Sequence, residues 1–291
     1  MMNDILEANR EFPWIFDIFM FLFGACMGSF MNVCIYRIPS GKSIVRPGSR
    51  CKCGAPIKWY DNIPILSWFI LRGRARCCGQ KFSFRYPFNE LLCACLYLYL
   101  WLSYSPALAL ALMFFLSLMI VVSFIDFDTM ELSDVLTVGG FLAGVLVSAF
   151  VPELHSGDSC AGRPFVANSL VSISLSLLGA FVGSGILFWF RLLAEYLFKR
   201  EAMGEGDVVL IGCIGAFCGW QGAIFAIFGG SVLGSVLMVP ILIFNRLCSR
   251  RGGSCEIPFG PWLALGAAVY VLFLKAEVDL YFASIIELFS R

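Results

Sequence analysis

The chain has 291 residues, 59% of them hydrophobic and only 14% charged, where soluble domains carry roughly a quarter charged residues. With a mean hydropathy of +0.84 and a net charge of +1, this composition excludes a disordered chain, a disulfide-stapled secreted module and a nucleic-acid binder that works through bulk basic charge. It describes an all-α polytopic integral membrane protein.

Met1 to Pro13 sets Asp4, Glu7 and Glu11 against one Arg10, the reverse of the basic start of a secretory signal. Trp14 to Tyr36 then supplies a first span, since about 20 apolar residues cross the hydrocarbon core. Residues 1–36 therefore read as an exterior N-terminus and helix 1. Residues 37–88 form a small basic lobe: eleven of the 21 Lys and Arg lie between Arg37 and Arg85, with Asp61 the single acid among them. No charge appears from Leu91 to Ile125, enough for two spans turning at Ser103-Tyr104-Ser105-Pro106. Val135 to Val151 is a fourth span and Ser169 to Phe190 a fifth. The 38 uncharged residues between Asp207 and Arg246 predict two more, turning at Gly219-Trp220-Gln221-Gly222. Ile257 to Leu274 makes an eighth. Residues 89–276 thus carry the main membrane domain, and 277–291, alternating acids with Leu, Phe and Ile, predict an exterior amphipathic tail.

About eight spans put both termini on one side. The loops sharing the side of the lobe then hold 17 Lys and Arg and the opposite loops four, so the positive-inside rule places the lobe in the cytoplasm and both termini outside. The basic residues of the lobe also suit contact with anionic membrane lipid; no nucleic-acid partner is expected.

Ionisable groups at membrane depth are costly and usually functional, and two acidic clusters sit at the cytoplasmic ends of spans. One is Asp126-Phe127-Asp128-Thr129-Met130-Glu131-Leu132-Ser133-Asp134, after the third span. The other is Gly204-Glu205-Gly206-Asp207, before the sixth. Few Lys or Arg lie near either. Paired aspartates can share one proton, so that one takes a proton from water while the other gives one to a substrate carbonyl. The competing reading is of acids that are solvated or cap helix N-termini, as Asp134 and Asp207 could by position.

These clusters sit among four ordered blocks. They are Gly28-Ser29-Phe30-Met31-Asn32-Val33-Cys34-Ile35-Tyr36-Arg37-Ile38-Pro39; then Asp61-Asn62-Ile63-Pro64-Ile65-Leu66-Ser67-Trp68 with Arg85-Tyr86-Pro87-Phe88-Asn89-Glu90; then Ile125-Asp126 with Gly204-Glu205-Gly206-Asp207; and Ile257-Pro258-Phe259-Gly260-Pro261. From about Gly28 to about Leu274 the chain resembles the type IV prepilin peptidase family, bifunctional membrane aspartyl proteases and N-methyltransferases. The resemblance implies Asp126 and Asp207 as the catalytic pair, type IV prepilin or pseudopilin precursors as substrates, and a bacterial inner-membrane location with the active site facing the cytoplasm. It also implies methylation of the new N-terminus with S-adenosylmethionine, for which no residue is singled out. Asp128, Glu131 and Asp134 match no catalytic position. Ser133 stands where the family usually has Pro, and Val209 where Lys is common. The rival reading of the carboxylates is a proton- or cation-coupled transporter, which predicts acids nearer mid-span.

The family generally carries C-x-x-C twice in the lobe, a zinc-ribbon spacing. Here the arms are Cys51-Lys52-Cys53 and Cys77-Cys78, each one residue tighter, with Ala75 where a leading cysteine would fall. Cys51, Cys53, Cys77 and Cys78 are the candidate zinc ligands, the alternative being four reduced thiols. Glu90, at the membrane edge, either pairs with Arg85 or faces a methyl-transfer site. His155, the one histidine, reads as a solvated loop residue. Trp101, Trp189, Trp220 and Trp262 read as interfacial anchors near span ends, and the glycines at 212, 215, 230 and 234 as close-packing positions.

Overall fold

The computed structural model describes residues 12–51, 53–156, 164–199, 203–248 and 258–290. The acidic head, Lys52, most of the loop after Ser156 and the start of the Ile257 motif lie outside the described residues. Those described are helical throughout the apolar stretches and contain no β-strand, only isolated bridges at Arg50–Pro56 and Arg74–Lys81. The helices are α1 (Pro13–Arg37), α2 (Leu66–Ile70), α3 (Arg85–Ser103), α4 (Pro106–Thr129), α5 (Asp134–Phe150), α6 (Glu153–Ser156), α7 (Phe165–Phe198), α8 (Glu205–Cys248), α9 (Gly260–Val269) and α10 (Lys275–Ser290). Four of them are long and apolar enough to cross a membrane: α1, α4, α7 and α8. With the shorter apolar helices, this is the multi-pass all-α membrane protein that the composition implies.

The turn expected in the uncharged run 91–125 falls where Ser103 ends α3 and Pro106 opens α4. Pro suits a first helical position, having no N–H to leave unpaired. The turn expected after residue 218 is also present. Within α8, Gly219 takes φ 72° and ψ 179°, left-handed backbone that glycine adopts without a Cβ penalty. A Cβ built on Gly183 would lie 2.9 Å from Ala223 Cβ and 3.3 Å from Ile211 O. One glycine of α7 thus touches both limbs, so the chain doubles back at Gly219.

The described chain divides into two compact units, 1–117 and 118–291. In the first, α1 packs on α3 through small residues. A Cβ on Gly24 would stand 2.8 Å from Ala94 Cα, and one on Gly28 2.7 Å from Glu90 Cα, the close approach that replaces hydrophobic driving force between helices in lipid. Buried Asn32 and Asn89 satisfy each other at 3.0 Å, and Asn32 Nδ2 also donates to Tyr86 O at 3.2 Å. Tyr97 and Ser117 share a buried hydroxyl hydrogen bond of 2.8 Å.

In the second unit Gly179 of α7 meets Gly215 of α8 backbone to backbone, and Gly230 and Gly234 pack against Trp262. The small-residue reading holds at these positions. Trp262, however, is buried at 7% exposure, so it is a core residue of the helix packing and not an interfacial anchor. A π-helical segment, Tyr270–Leu274, joins α9 to α10. Tyr270 OH donates to Asp279 Oδ1 at 2.7 Å, although nine residues of straight helix rise about 13.5 Å and end on the opposite face. The helix therefore bends between them, and the tail lies back so that Phe282 meets Trp220 with ring centroids 4.9 Å apart.

Candidate active site

Asp126 lies one turn before the end of α4. The helix stops because Met130 turns to φ 57°, with its amide on Asp126 O at 2.9 Å and Thr129 Oγ1 accepting the Glu131 amide at 3.3 Å. Past that stop the chain reaches the second acidic cluster: a Cβ on Gly206 would lie 2.7 Å from Leu132 Cβ. Leu132 occupies the space that glycine leaves. The Gly204-Glu205-Gly206-Asp207 turn and the end of α4 are therefore seated against each other.

Each aspartate is held by the amide of a glycine. Gly260, the first residue of α9, donates its N–H to Asp126 Oδ2 at 3.1 Å. The carboxylate thus stands at a helix N-terminus, where unpaired amides and the helix dipole favour negative charge. Asp207 is the third residue of α8 and accepts the Gly204 amide, the backward reach of a capping box. Asp207 therefore does cap its helix, as the plainer sequence reading has it, while its carboxylate is also an electrostatic neighbour of Asp126.

Burial separates these two acids from the others in the clusters. Asp126 is 5% exposed and Asp207 7%, whereas Asp128, Glu131, Asp134 and Glu205 are exposed. One basic residue does approach the second cluster, contrary to the sequence impression. Arg191, near the end of α7, donates to Glu195 at 2.7 Å and to Glu205 at 3.1 Å. Its target is Glu205 and not Asp207, so the buried pair keeps no cationic partner from this contact.

In the first unit two knuckle turns carry the cysteines. Gly54 N–H bonds Cys51 O at 2.8 Å, and Gly79 N–H bonds Ala75 O at 2.8 Å; both glycines have positive φ. Cys51 Sγ lies 3.5 Å from Cys78 Sγ, and Cys53 Sγ 3.4 Å from Cys77 Sγ. All four sulfurs lie within 4.8 Å of one another. A tetrahedral zinc with Zn–S bonds of about 2.3 Å has S···S edges of about 3.8 Å, so the tightened arms still converge on a metal-sized centre. Ala75 is buried in the second knuckle, and the Cys77-Cys78 pair supplies both sulfurs of that arm. The Cys53 amide stabilises the Cys51 thiolate and draws its pKa down to about 7, whereas Cys77, donating to Cys53 and Cys51, is pushed up to about 12.

Glu90 accepts the Ile65 amide at 2.6 Å and a hydrogen bond from Ser29. Asp61 takes a bidentate contact from Arg76, at 2.8 and 3.1 Å. Asp61 within the lobe and Glu90 at its edge are thus each held by protein partners.

Comparison with known proteins gives the family. The bacterial peptidase A24 N-terminal domain matches residues 22–104, and the type IV leader peptidase family matches residues 113–239. A prepilin leader peptidase/N-methyltransferase of Myxococcus xanthus is 38% identical over 84% of this chain and 69% of its own length. The chain belongs to the type IV leader peptidase family. Relatives in the family with the same name occur in Klebsiella pneumoniae, 34% identical over 74% of this chain and 90% of theirs, and in Aeromonas salmonicida, 28% identical over 98% and 100%. No solved structure matches the chain. Membership in this family, with both acids at the ends of spans, leaves the transporter reading without support.

Two features escaped the sequence reading. His155 is not a solvated loop residue: its Nε2 lies 3.0 Å from Ala216 O, and it lines a cavity of about 60 Å³ with Tyr270, Lys275 and Asp279. Burial, with Lys275 nearby, lowers its pKa to about 4. The Gly260 amide on Asp126 was equally invisible, because its only sequence signal was the Pro258-Phe259-Gly260-Pro261 block, which reads as a helix start and names no partner.

Proposed function

We propose that the chain is a leader peptidase in which Asp126 and Asp207 are the catalytic pair, acting on type IV prepilin or pseudopilin precursors at the cytoplasmic face of the bacterial inner membrane. The observation that carries this is the selective burial of these two carboxylates, 81 residues apart in sequence, each oriented by a glycine amide, with the charge of Asp126 acting on Asp207. One carboxylate, ionised, takes a proton from a water molecule, which attacks the carbonyl carbon of the scissile peptide. The other, protonated, donates to the carbonyl oxygen, giving a gem-diol; as the C–N bond breaks, the first carboxyl passes its proton to the leaving amine and the second recovers its proton from a gem-diol hydroxyl. Asp126, held by the α9 amide through Oδ2, keeps Oδ1 for the reacting water or substrate.

The lobe of residues 37–88 is assigned to a second activity, N-methylation of the product amine, and residues 89–276 to proteolysis, with 277–291 as an exterior amphipathic tail. The charge asymmetry between loops supports a cytoplasmic lobe, exterior termini and contact of the lobe with anionic lipid. S-adenosylmethionine is the proposed methyl donor, and no residue is assigned to hold it. Cys51, Cys53, Cys77 and Cys78 fit zinc, which in such a site closes two knuckles into one folded lobe.

The reading is tested by incubating purified enzyme with a precursor that joins a short basic leader to an apolar helix. Release of the leader by the parent enzyme and its loss in Asp207→Asn support the assignment. Full cleavage by Asp207→Asn removes that residue from the mechanism.

A further inference from the structure

On the basic lobe, the five residues of α2 have two distinct faces. Ser67 Oγ donates to Tyr60 O at 3.3 Å and Trp68 Nε1 to Phe82 O at 3.4 Å, so both turn inward. Leu66, Phe69 and Ile70, at i, i+3 and i+4 on one helical face, are 58%, 59% and 72% exposed. They form a contiguous exposed apolar face on a lobe that also exposes Val45 and Trp59, and such a face marks an interaction surface.

Two observations say what covers it. The first is height. The Ile65 amide, immediately before α2, is bonded to Glu90 at 2.6 Å, and Glu90 is the last charge before the uncharged run 91–125. The start of α2 is therefore held level with the edge of the hydrocarbon. The second is continuity. Ring contacts run from Phe69 to Trp68 at 5.3 Å, to Phe84 at 5.4 Å and to Phe88 at 6.5 Å, and Phe88, on α3, is itself exposed. The apolar face of α2 is thus joined through these rings to the exposed surface of α3, which carries no charge after Glu90. Directly after α2 come Arg72 and Arg74, both exposed, with the charge that anionic headgroups attract.

We propose that α2 is an in-plane membrane anchor: Leu66, Phe69 and Ile70 enter the acyl region of the cytoplasmic leaflet, and Arg72 and Arg74 meet anionic phospholipid headgroups. This rests on the reading of the lobe as cytoplasmic in a membrane-spanning chain, and it holds the lobe against the surface from which a membrane-embedded product presents its new N-terminus. Helices with this division of faces lie in the interface plane.

The test uses full-length enzyme in nanodiscs of phosphatidylethanolamine and phosphatidylglycerol, with photoreactive benzoylphenylalanine replacing Phe69 or Ile70. Phe181 of α7, 72% exposed on an apolar span, serves as the lipid-facing control. Irradiation is expected to give phospholipid-mass adducts at 69 and 70 in yields comparable to 181. Adducts at 181 alone, or capture of added precursor instead of lipid at 69, overturn the anchor while leaving the spanning topology intact. No lipid adduct at 181 overturns the topology itself, and the anchor with it. In the Arg72→Gln/Arg74→Gln background the yield at 69 is expected to fall severalfold; an unchanged yield removes the arginines from the proposal.

Discussion

The Gly260 amide reaches across 134 residues of sequence to hold Asp126 Oδ2 at 3.1 Å. A carboxylate at the end of one helix is thereby the acceptor for the first turn of another, and the orientation of a proposed catalytic group depends on a residue with no side chain. A Cβ at position 260 would stand 2.6 Å from that same oxygen, closer than real Cβ contacts come. Gly260→Ala is therefore expected to push Asp126 off its amide and lower kcat for leader cleavage by about 10- to 1,000-fold, since small misplacements of a reacting group cost about 100-fold. Helical circular dichroism should be unchanged. Steady-state kinetics on a precursor peptide provide the check, and a parent-like kcat would mean that the amide contact does not orient the acid.

If the two aspartates act as one proton-sharing unit, their removal is not additive. Asp126→Asn and Asp207→Asn are each expected to reduce cleavage by at least about 1,000-fold, and the double variant to be no worse than either. Single-turnover rates measure this. A double variant slower than the singles by the product of their effects would assign the two residues independent roles.

The cysteine cluster predicts a separable defect. Cys51→Ser and Cys78→Ser each remove a sulfur from a set in which all four lie within 4.8 Å of one another. Each is expected to lower the zinc content of purified enzyme from one per chain toward zero and to abolish methylation, while leader cleavage falls less than about threefold, a change of under ~1 kcal/mol in barrier. Elemental analysis and product mass read the two effects. Equal loss of cleavage would show that the lobe also supports the peptidase.

His155 predicts a pH dependence of stability. An unfolded histidine titrates near 6.5, whereas burial holds this one to about 4. Below 6.5 the unfolded chain binds the proton more readily than the folded chain does. Stability is therefore fully present above about pH 6.5 and is lost as pH falls toward 4, by at most about 3 kcal/mol at 1.36 kcal/mol per unit. Tm in detergent micelles across this window should fall more steeply for the parent than for His155→Gln, which does not titrate. Identical slopes would assign the acid sensitivity to other groups.

Much of the membrane architecture was legible because it rests on local patterns. Charge-free runs located the helices, Ser103–Pro106 and Gly219 marked turns through proline and glycine chemistry, and the resemblance pointed to Asp126 and Asp207 among the six acids of the two clusters. What escaped depends on contacts between distant segments. His155 looked like a loop residue because it stands beside Ser156 and Asp158 between two spans; Ala216, which approaches it, is 61 residues away. Trp262 lay at the expected end of a span, but the small surfaces of Gly230 and Gly234 let its ring pack inward. The shortened cysteine arms depart from the usual C-x-x-C spacing, yet the two knuckles bring all four sulfurs within 4.8 Å of one another. Spacing along one strand of chain does not encode that convergence.

The most direct measurement is the intact mass of a prepilin-like substrate after incubation with the purified enzyme and S-adenosylmethionine, run beside Asp126→Asn and Asp207→Asn. The parent enzyme is expected to yield a product lacking the leader and heavier by about 14 Da, the CH₂ added when a methyl group replaces an amine hydrogen, while both variants return the precursor uncut. Leader removal by either variant would contradict the assignment of that aspartate, and an uncut precursor with the parent enzyme would contradict the proposed peptidase activity.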